Sequence, residues 1–228
     1  MAFSYSPKIV TNGLVLYLDA ANSRSYTSGS TAWRDLSTAQ LSGSLINGPG
    51  FSTDNGGAIT FDAVNDYVQI SDNANLRSSN GTYSVWFNCT GVASGSSTNS
   101  SVLFKADIVG SNNGYIILAQ ASQVVVSIKD ATTGYTLGGY SNTGWTNATL
   151  VNSSGTSFSF YLNGRLRATQ ATSPVTITSE PMRLGIGLDT FWANFQGSIS
   201  NVSIYNRALS ATEVQQNYNS LKSRFQLT

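Results

Sequence analysis

Residues 195–209 read FQGSISNVSIYNRAL, and SATE follows at residues 210–213. Polar and apolar side chains largely alternate from Gly197 to Tyr205, which is typical of a strand with one buried face. Ser210 and Glu213 have the spacing of a capping box, in which each side chain bonds the backbone amide of the other residue. This stretch therefore predicts a strand that ends in a short turn and is followed directly by a helix.

The predicted helix covers Ala211–Lys222, near the carboxyl end of the chain. Apolar side chains recur there at helical spacing, and they are Val214, Tyr218, Leu221 and Phe225. A single apolar stripe on a short helix needs a surface to cover. We therefore expect the helix to act as a structural clasp, and not as a ligand site, and to lie on the rest of the fold beside Ile204 and Leu209.

The remainder of the chain reads as short strands between turns. The sequence contains six Asn-Gly pairs, and this dipeptide readily adopts the positive φ angles of tight hairpin turns. Most strands alternate polar and apolar residues, and their regular spacing favours a sandwich over βαβ units. The stretch Gly91–Ser100 is rich in Ser and predicts an exposed loop. Because the sequence shows no linker and no repeat, we predict a single domain over residues 1–228. The predicted strands are Leu14–Asp19, Ala58–Phe61, Tyr67–Ile70, Thr82–Asn88, Ser101–Ala106, Tyr115–Ala119, Val124–Lys129, Thr146–Asn152, Ser157–Leu162, Arg183–Ile186 and Gly197–Tyr205.

The composition argues against several classes of protein. The net charge is +1 and only 10% of the residues are charged, so a nucleic-acid partner is not expected. No apolar stretch approaches the roughly 20 residues that span a bilayer, and residues 1–10 lack the features of a secretory signal. A single cysteine, Cys89, cannot form an intramolecular disulfide, and its apolar surroundings predict a buried thiol.

Several blocks of the sequence, taken in order, resemble a known family. Besides residues 195–209, they are Gly13–Asn22, Phe61–Val68, Trp145, Phe160–Gly164 and Leu184–Gly187. In this order and spacing they resemble the laminin G-like domains of the concanavalin A-like lectin/glucanase superfamily. The resemblance implies an all-β fold, a two-sheet antiparallel jelly-roll sandwich. Members of the family bind glycans, bind calcium, join proteins together or hydrolyse glucans, and the fold alone does not choose among these activities.

A second resemblance concerns the amino-terminal blocks Asn22–Tyr26 and Trp33–Ser37. These blocks are similar to structural proteins of tailed bacteriophages, especially of marine phages. The resemblance implies a protein that is assembled in the host cytoplasm and then works on the virion surface, on the head or the tail. Its partners would be other virion proteins and host cell-surface glycans, and it would form a homo-oligomer or occur in many copies on a particle.

Hydrolysis of a glycan is not expected of this chain. Glycosidases use two carboxyl groups that face each other across the scissile bond. The sequence holds only Glu180 and Glu213 as glutamates and no histidine. Glu213 belongs to the capping box and Glu180 precedes a proline, so both residues are predicted to have structural roles. We therefore predict a protein that is not an enzyme.

Calcium is the metal that the sequence favours, because calcium takes oxygen ligands. Asp62, Asn65 and Asp66 flank one turn, and they are the candidate calcium ligands. A second oxygen-rich group comprises Asp72, Asn73 and Asn75. The alternative for both groups is that the Asp and Asn side chains cap turns by bonding their own backbone.

Trp192 is the candidate residue for stacking on a sugar ring, because it lies in a polar stretch. Trp86 and Trp145 lie in strand patterns, where an aromatic ring usually packs in the core. Arg207 is expected to pair locally rather than to bind a ligand. The sequence therefore favours a virion surface protein that uses a lectin-like sandwich for docking and glycan contact, and the alternative is a carbohydrate-binding lectin module that acts on its own.

Overall fold

The computed structural model describes residues 8–92, 99–107, 113–120, 123–129, 134–141, 144–153, 156–187 and 194–227. Within these ranges, 16 strands form two antiparallel sheets of eight strands each. A short helix, α1 (Ala211–Leu221), follows the last strand. A 3-10 helix over Lys222–Phe225 follows α1 directly. The two sheets pack face to face, which confirms the predicted all-β sandwich.

The helix-side sheet is defined as the sheet with the strand order β14-β13-β12-β7-β16-β5-β4. Strand β16 is long enough to pair with β5 through residues 196–199 and with β1 through residues 201–205. The strands of this sheet are β1 (Leu14–Asp19), β4 (Gly50–Ser52), β5 (Ala58–Asp62), β7 (Gly81–Val92), β12 (Trp145–Ser153), β13 (Ser157–Leu162), β14 (Arg165–Ala171) and β16 (Phe195–Tyr205).

The second sheet has the strand order β11-β10-β9-β8-β15-β6-β3-β2. Its strands are β2 (Ala32–Trp33), β3 (Gly43–Ile46), β6 (Tyr67–Ile70), β8 (Ser100–Ala106), β9 (Gly114–Ala119), β10 (Gln123–Lys129), β11 (Gly134–Ser141) and β15 (Met182–Leu184). Alternate residues of both sheets fill one continuous core between them, because successive side chains on a strand point to opposite faces.

The helix covers the outer face of the helix-side sheet. Trp86 points away from the sandwich core, and its ring stacks on Tyr218 with a centroid distance of 5.4 Å and on Phe225 at 4.4 Å. Val214 is buried in a separate apolar cluster with Leu209 and with residues of the sheet. The predicted clasp is therefore present on this face.

The structure corrects parts of the sequence predictions. Ile204 does not lie beside the helix but in the core between the sheets, and its neighbour Tyr205 contacts the helix cluster instead. Both ends of the predicted Gly91–Ser100 loop belong to strands, because β7 continues to Val92 and β8 begins at Ser100, and residues 93–98 lie outside the described residues. Cys89 is half-buried rather than fully buried, and burial raises the pKa of its thiol.

Every predicted strand is present, but five observed strands are missing from the prediction. They are either very short or lie at a sheet edge, and so they lack a long alternating pattern: β2, β3, β4, β11 and β14. The turn at Asn163 and Gly164 behaves as the Asn-Gly pair predicts. Both residues have positive φ angles, 52° and 71°, and they join β13 to β14 as a two-residue hairpin.

Candidate functional site

A row of three side chains crosses the outer face of the helix-side sheet. Trp145 on β12 pairs in register with Asn88 on β7, and Asn88 pairs with Ser198 on β16. Residues that are paired across adjacent strands project to the same face of a sheet. The register therefore places an indole ring, an amide and a hydroxyl side by side, at the end of the sheet that the helix leaves uncovered.

This row forms the floor of a pocket of about 320 Å³. The volume lies within the range of about 300–1,000 Å³ that small-molecule sites span. We call it the Trp145 pocket. It is lined by Ser52, Asp54, Asn55, Ala58, Asn88, Trp145, Ser198 and Gln226.

The turn that carries Asp54 and Asn55 forms one wall of the Trp145 pocket. With the Asn55 amide oriented to satisfy its hydrogen bonds, its oxygen accepts from Trp145 Nε1 at 2.8 Å and its nitrogen donates to the Arg224 carbonyl at 3.2 Å. These bonds fix the orientation of the indole ring and connect the wall to the carboxyl-terminal segment.

Arg224 holds the carboxyl-terminal segment against the wall of the pocket. Its guanidinium group donates to the Asn55 carbonyl at 2.7 Å, to Asp19 Oδ1 at 2.7 Å and to the Gly57 carbonyl at 2.9 Å. A guanidinium group offers five N–H donors in a rigid plane, so it can fix several oxygens at once. Phe225 then packs against Trp145 from behind, with ring centroids 4.6 Å apart.

The lining of the pocket suits a neutral, hydroxyl-rich ligand. Asn55, Asn88 and Gln226 supply amide groups that both donate and accept hydrogen bonds. The face of an indole ring carries negative potential and attracts the weakly positive C–H groups of a sugar ring. Asp54 supplies the one carboxylate of this lining, so the pocket lacks the pair of carboxyl groups that glycoside hydrolysis requires.

The predicted calcium ligands do lie together, but their roles differ. Asp62 Oδ1 accepts from the backbone N–H of Val64 at 2.8 Å, and the Asn65 carbonyl accepts from the Asn47 amide at 2.9 Å. Asp66 is buried, and its pKa is raised by loss of solvation and by the nearby charge of Asp62. Two neighbouring carboxylates could hold a cation, but six to eight oxygens surround a typical calcium ion. Within the described residues, no group of three or more acidic, His or Cys side chains is arranged for a metal.

The second oxygen-rich group is structural. Asp72 accepts a hydrogen bond from Lys105 Nζ at 2.8 Å and also pairs with Arg77. These partners lower the pKa of Asp72, the Arg77 bond being the larger cause. The Asn73 side chain caps a 3-10 turn by accepting from the backbone of Asn75. The turn-capping alternative is therefore correct for Asn73, whereas Asp72 forms ion pairs with Lys105 and Arg77 instead.

The two glutamates have separate roles. Glu213 forms the predicted capping box with Ser210 and a two-point ion pair with Arg207, whose Nη2 lies 2.6 Å from Glu213 Oε1. Arg207 therefore pairs locally, as predicted. The Glu180 backbone carbonyl accepts from buried Lys105, and the two glutamates are carried by different parts of the fold.

The tryptophans differ from the sequence interpretation. Trp192, the candidate for stacking on a sugar, lies outside the described residues. Trp86 is buried, but beneath the helix rather than in the core between the sheets. Trp145 is half-buried and lines a pocket, so its strand pattern alone did not reveal its position. Asn88 and Ser198 were missed as well, because only the pairing register brings them beside Trp145.

Among the described residues, no helix has the length and apolar character needed to cross a membrane. The carboxyl-terminal helix has 11 residues and a polar outer surface, which agrees with its position on the sandwich.

Comparison with solved structures places the fold among bacterial toxin fragments. The ligand-binding domain of botulinum neurotoxin serotype D, in complex with N-acetylneuraminic acid, matches with a TM-score of 0.69 and 16% identity over 92% of this chain and 51% of that chain. The binding domain of Paraclostridial mosquitocidal protein 1 matches with a TM-score of 0.67 and 16% identity over 91% of this chain and 52% of that chain. This chain therefore spans about half the length of these structures, and the low identity shows a shared fold.

Comparison with curated protein sequences gives no significant match. A sequence profile of the concanavalin A-like lectin/glucanases superfamily, of the laminin G type, matches residues 62–215, which is more than half of the chain. The matched range contains Asn88, Trp145 and Ser198 together with strands of both sheets, from β6 to β16. The chain therefore belongs to the concanavalin A-like lectin/glucanase superfamily.

Proposed function

We propose that this chain is a carbohydrate-binding domain without enzymatic activity, and that its glycan site is the Trp145 pocket. The observation that carries the proposal is the row of Trp145, Asn88 and Ser198 at the floor of a pocket with amide and carboxylate walls. An aromatic face and planar polar groups are complementary to the two kinds of surface on a sugar, its C–H face and its hydroxyl rim.

Hydrolysis is not expected at this site on geometric grounds. A glycosidase needs an acid and a second carboxylate on either side of one bond, and the Trp145 pocket has the single carboxylate of Asp54 in its lining. Neither glutamate lines this pocket, and Glu213 is engaged by Arg207 and the helix cap. We therefore expect the domain to bind a glycan and release it unchanged.

The similar toxin fragments agree with this proposal without establishing it. One of them was solved with N-acetylneuraminic acid, and another comes from botulinum neurotoxin type C, which depends on interaction with two ganglioside molecules to enter cells. Those ligands belong to chains about twice as long as this one, since only 51% of each is covered.

The proposal is tested by a glycan array followed by calorimetric titration of the glycans that bind. Asn88→Ala and Asp54→Ala each remove a polar group from the pocket. Loss of one good hydrogen bond to a ligand weakens binding by roughly tenfold, and we expect at least this effect. Gln170→Ala is the matched control, because Gln170 is an exposed amide on β14 that does not line the Trp145 pocket. Equal affinity of the wild type and both pocket variants would exclude this site.

Calcium at Asp62 and Asp66 stays a proposal beside the glycan site. The support is the adjacency of the two carboxylates, one of them buried with a raised pKa. Backbone carbonyl groups of the same turn and water would have to complete the coordination, since calcium takes six to eight oxygens. A bound ion would neutralise the two carboxylates and tie the end of β5 to the start of β6.

The role on a virion surface also stays a proposal, and it rests on the resemblance of the amino-terminal blocks. Tyr26 and Trp33 in these blocks are buried, and Asp35 caps turns by accepting from the backbone of Tyr17, Ser37 and Leu41. Partners among virion proteins and a high copy number follow from the same proposal. Mass spectrometry of purified particles tests it, and absence of the chain from every particle of a phage that encodes it would contradict it.

A further inference from the structure

A second pocket lies on the other side of the carboxyl-terminal segment. It has a volume of about 330 Å³ and lies between the helix and the edge strand β14. Leu227 contributes to it, whereas the preceding residue, Gln226, lines the Trp145 pocket. We call it the basic pocket, and it is lined by Asn163, Arg165, Arg167, Gln215, Tyr218, Asn219, Lys222 and Leu227.

Residues of one strand and one helix meet at the basic pocket. Arg165 and Arg167 lie two residues apart on β14, where a β-bulge interrupts the pairing with β13, and both side chains line the pocket. From the other side, the lining residues between Gln215 and Lys222 follow a spacing of three and four residues, which puts them on one face of the helix. This part of the strand and one face of the helix are therefore turned towards each other, and both are polar.

The charge of this pocket is concentrated and of one sign. Three of the 12 basic residues of the chain line it, and no Asp or Glu does. In a protein with a net charge of only +1, this is a marked local excess. Arg165 and Arg167 are exposed and Lys222 is half-buried, so all three side chains are accessible to solvent. Such a site attracts an anion and repels cations.

The floor of the pocket is rigid. The Tyr218 ring stacks on Trp86 and packs over Gly164, where a Cβ atom would come within 2.8 Å of the ring. Tyr218 and Arg165 line the same pocket, and burial raises the pKa of the Tyr218 hydroxyl while the positive charge of Arg165 opposes that shift. The tight hairpin at Asn163 and Gly164 fixes the start of β14, so the arginines emerge from a preformed element.

We propose that the basic pocket binds the anionic group of an acidic sugar, a carboxylate or a sulfate, and so selects acidic glycans. This proposal rests on the proposed glycan-binding function and names the class of glycan. A guanidinium fork binds carboxylate and sulfate oxygens with two parallel hydrogen bonds. The amides of Asn163, Gln215 and Asn219 can bond the neighbouring hydroxyl groups, and the Tyr218 ring offers a face for the sugar. A volume of about 330 Å³ accommodates one sugar unit rather than a nucleic-acid strand.

The test uses NMR titration of the labelled full chain with three probes: lactose, sialyllactose and galactose 6-sulfate. Side-chain amide signals of Asn163, Gln215 and Asn219 report on the basic pocket, and that of Asn88 reports on the Trp145 pocket. We expect the two acidic probes to shift the basic-pocket amides saturably, with at least tenfold higher affinity than lactose. The probe that binds more tightly identifies the carboxylate or the sulfate as the preferred anion.

The double variant Arg165→Gln with Arg167→Gln should abolish the preference for acidic probes. The control is Arg24→Gln with Arg34→Gln, which removes the same charge at exposed residues that line neither pocket. Equal loss in both double variants, or inorganic sulfate binding as tightly as the acidic sugars, would overturn the proposal. The proposal would also be overturned if no probe shifted the NMR signals of the basic-pocket amides. A shift of these amides with an unmoved Asn88 signal would support it while contradicting the Trp145 pocket as the glycan site.

Discussion

Lys105 is a fully buried cation whose three ammonium hydrogens all have partners. Its Nζ donates to Asp72 Oδ1 at 2.8 Å, to the Thr178 carbonyl at 2.9 Å and to the Glu180 carbonyl. The side chain therefore joins β8 to the segment between β14 and β15. Burial lowers the pKa of Lys105, and the bond to Asp72 opposes that shift.

Lys105→Met should destabilise the protein strongly, because it leaves two carbonyl oxygens without their donor. Removal of one partner of a buried ion pair costs about 3–5 kcal/mol, and we expect a loss of this size in urea unfolding. Arg77→Gln is the control, since Arg77 pairs with the same Asp72 but is exposed, and exposed ion pairs contribute little. A Lys105→Met variant as stable as the wild type would show that these bonds add nothing.

Asp66 allows the calcium proposal to be tested through the sign of its pKa shift. A carboxyl group whose pKa is raised on folding favours the folded state below its unfolded pKa, and that stability is lost as pH rises through the raised value. At pH 7 without calcium, Asp66→Asn should therefore raise the Tm. Calcium should raise the Tm of the wild type by mass action and leave that of the variant unchanged. If calcium fails to shift the wild-type Tm, the turn holds no ion.

At the residue scale, the sequence predicted the local interactions of some side chains, but it did not predict which side chains meet in the folded protein. The role of Glu213 followed from its spacing to Ser210, and the local pairing of Arg207 followed from its place beside the helix start. The position of Trp145 could not be predicted in this way. Alternation identifies a strand, but it does not show which face of the sheet a later element covers. Asn88 and Ser198 become neighbours of Trp145 only through pairing between strands that are distant in the sequence.

At the element scale, the carboxyl-terminal helix and the turn after it form a clasp with defined contacts. Phe225 is buried between Trp86 and Trp145, whereas Leu221 in the same stripe is only half-buried. Phe225→Ala should lower the free energy of unfolding by about 3–5 kcal/mol, and Ser210→Ala, which removes the helix cap, by about 1 kcal/mol. Urea unfolding measures both variants. A larger loss for Ser210→Ala would mean that the aromatic contacts do not hold the clasp.

The start of the helix should confer pH-dependent stability. The bond from Arg207 holds the pKa of Glu213 at about 2, below its ordinary value of 4.5. A carboxyl group with a lowered pKa stabilises the folded state above its unfolded pKa, and this stability is lost as pH falls towards the folded pKa. Between pH 4.5 and 2, the Tm of the wild type should therefore fall more steeply than that of Glu213→Gln. Parallel curves for the two proteins would show that the ion pair does not contribute.

The pattern of predicted and missed elements has a simple physical cause. Strands such as β13, with apolar residues on one face, have a period that the sequence displays directly. Strand β14 is an exposed edge, so nothing requires one of its faces to be apolar, and its residues read as polar loop. Strands of two to four residues, such as β2 and β3, are too short to show a period at all.

At the scale of the whole molecule, the helix divides the outer face of one sheet into two polar pockets. The Trp145 pocket is lined by Trp145, by uncharged amides and by a single carboxylate, that of Asp54. The basic pocket is lined by three basic residues and by no carboxylate. The segment from Arg224 to Leu227 separates the two pockets, and Arg224 fixes it to Asp19 of β1 and to Gly57, which directly precedes β5. The clasp thus has a consequence for binding, because a loosened segment would disturb both pockets.

The architecture of the molecule followed from the sequence because the strand spacing indicates a sandwich, the family resemblance implies two antiparallel sheets, and the capping box marks the start of the helix. The location of a binding surface did not, since it depends on which face the helix covers and on the register of β7, β12 and β16. A glycan site at Trp192 stays a prediction, and the Trp145 pocket competes with it.

The tryptophan side chains allow the central claim to be measured directly. The chain has four tryptophans, and each gives one indole N–H signal in a spectrum of the nitrogen-labelled protein. During titration with a glycan selected by the array, we predict a saturable shift of the Trp145 signal, because its Nε1 lies in the pocket wall. The signals of Trp33 and Trp86, which are buried, should stay in place. Saturable binding that moves the Trp192 signal and leaves Trp145 unchanged would contradict the assignment of the glycan site to the Trp145 pocket.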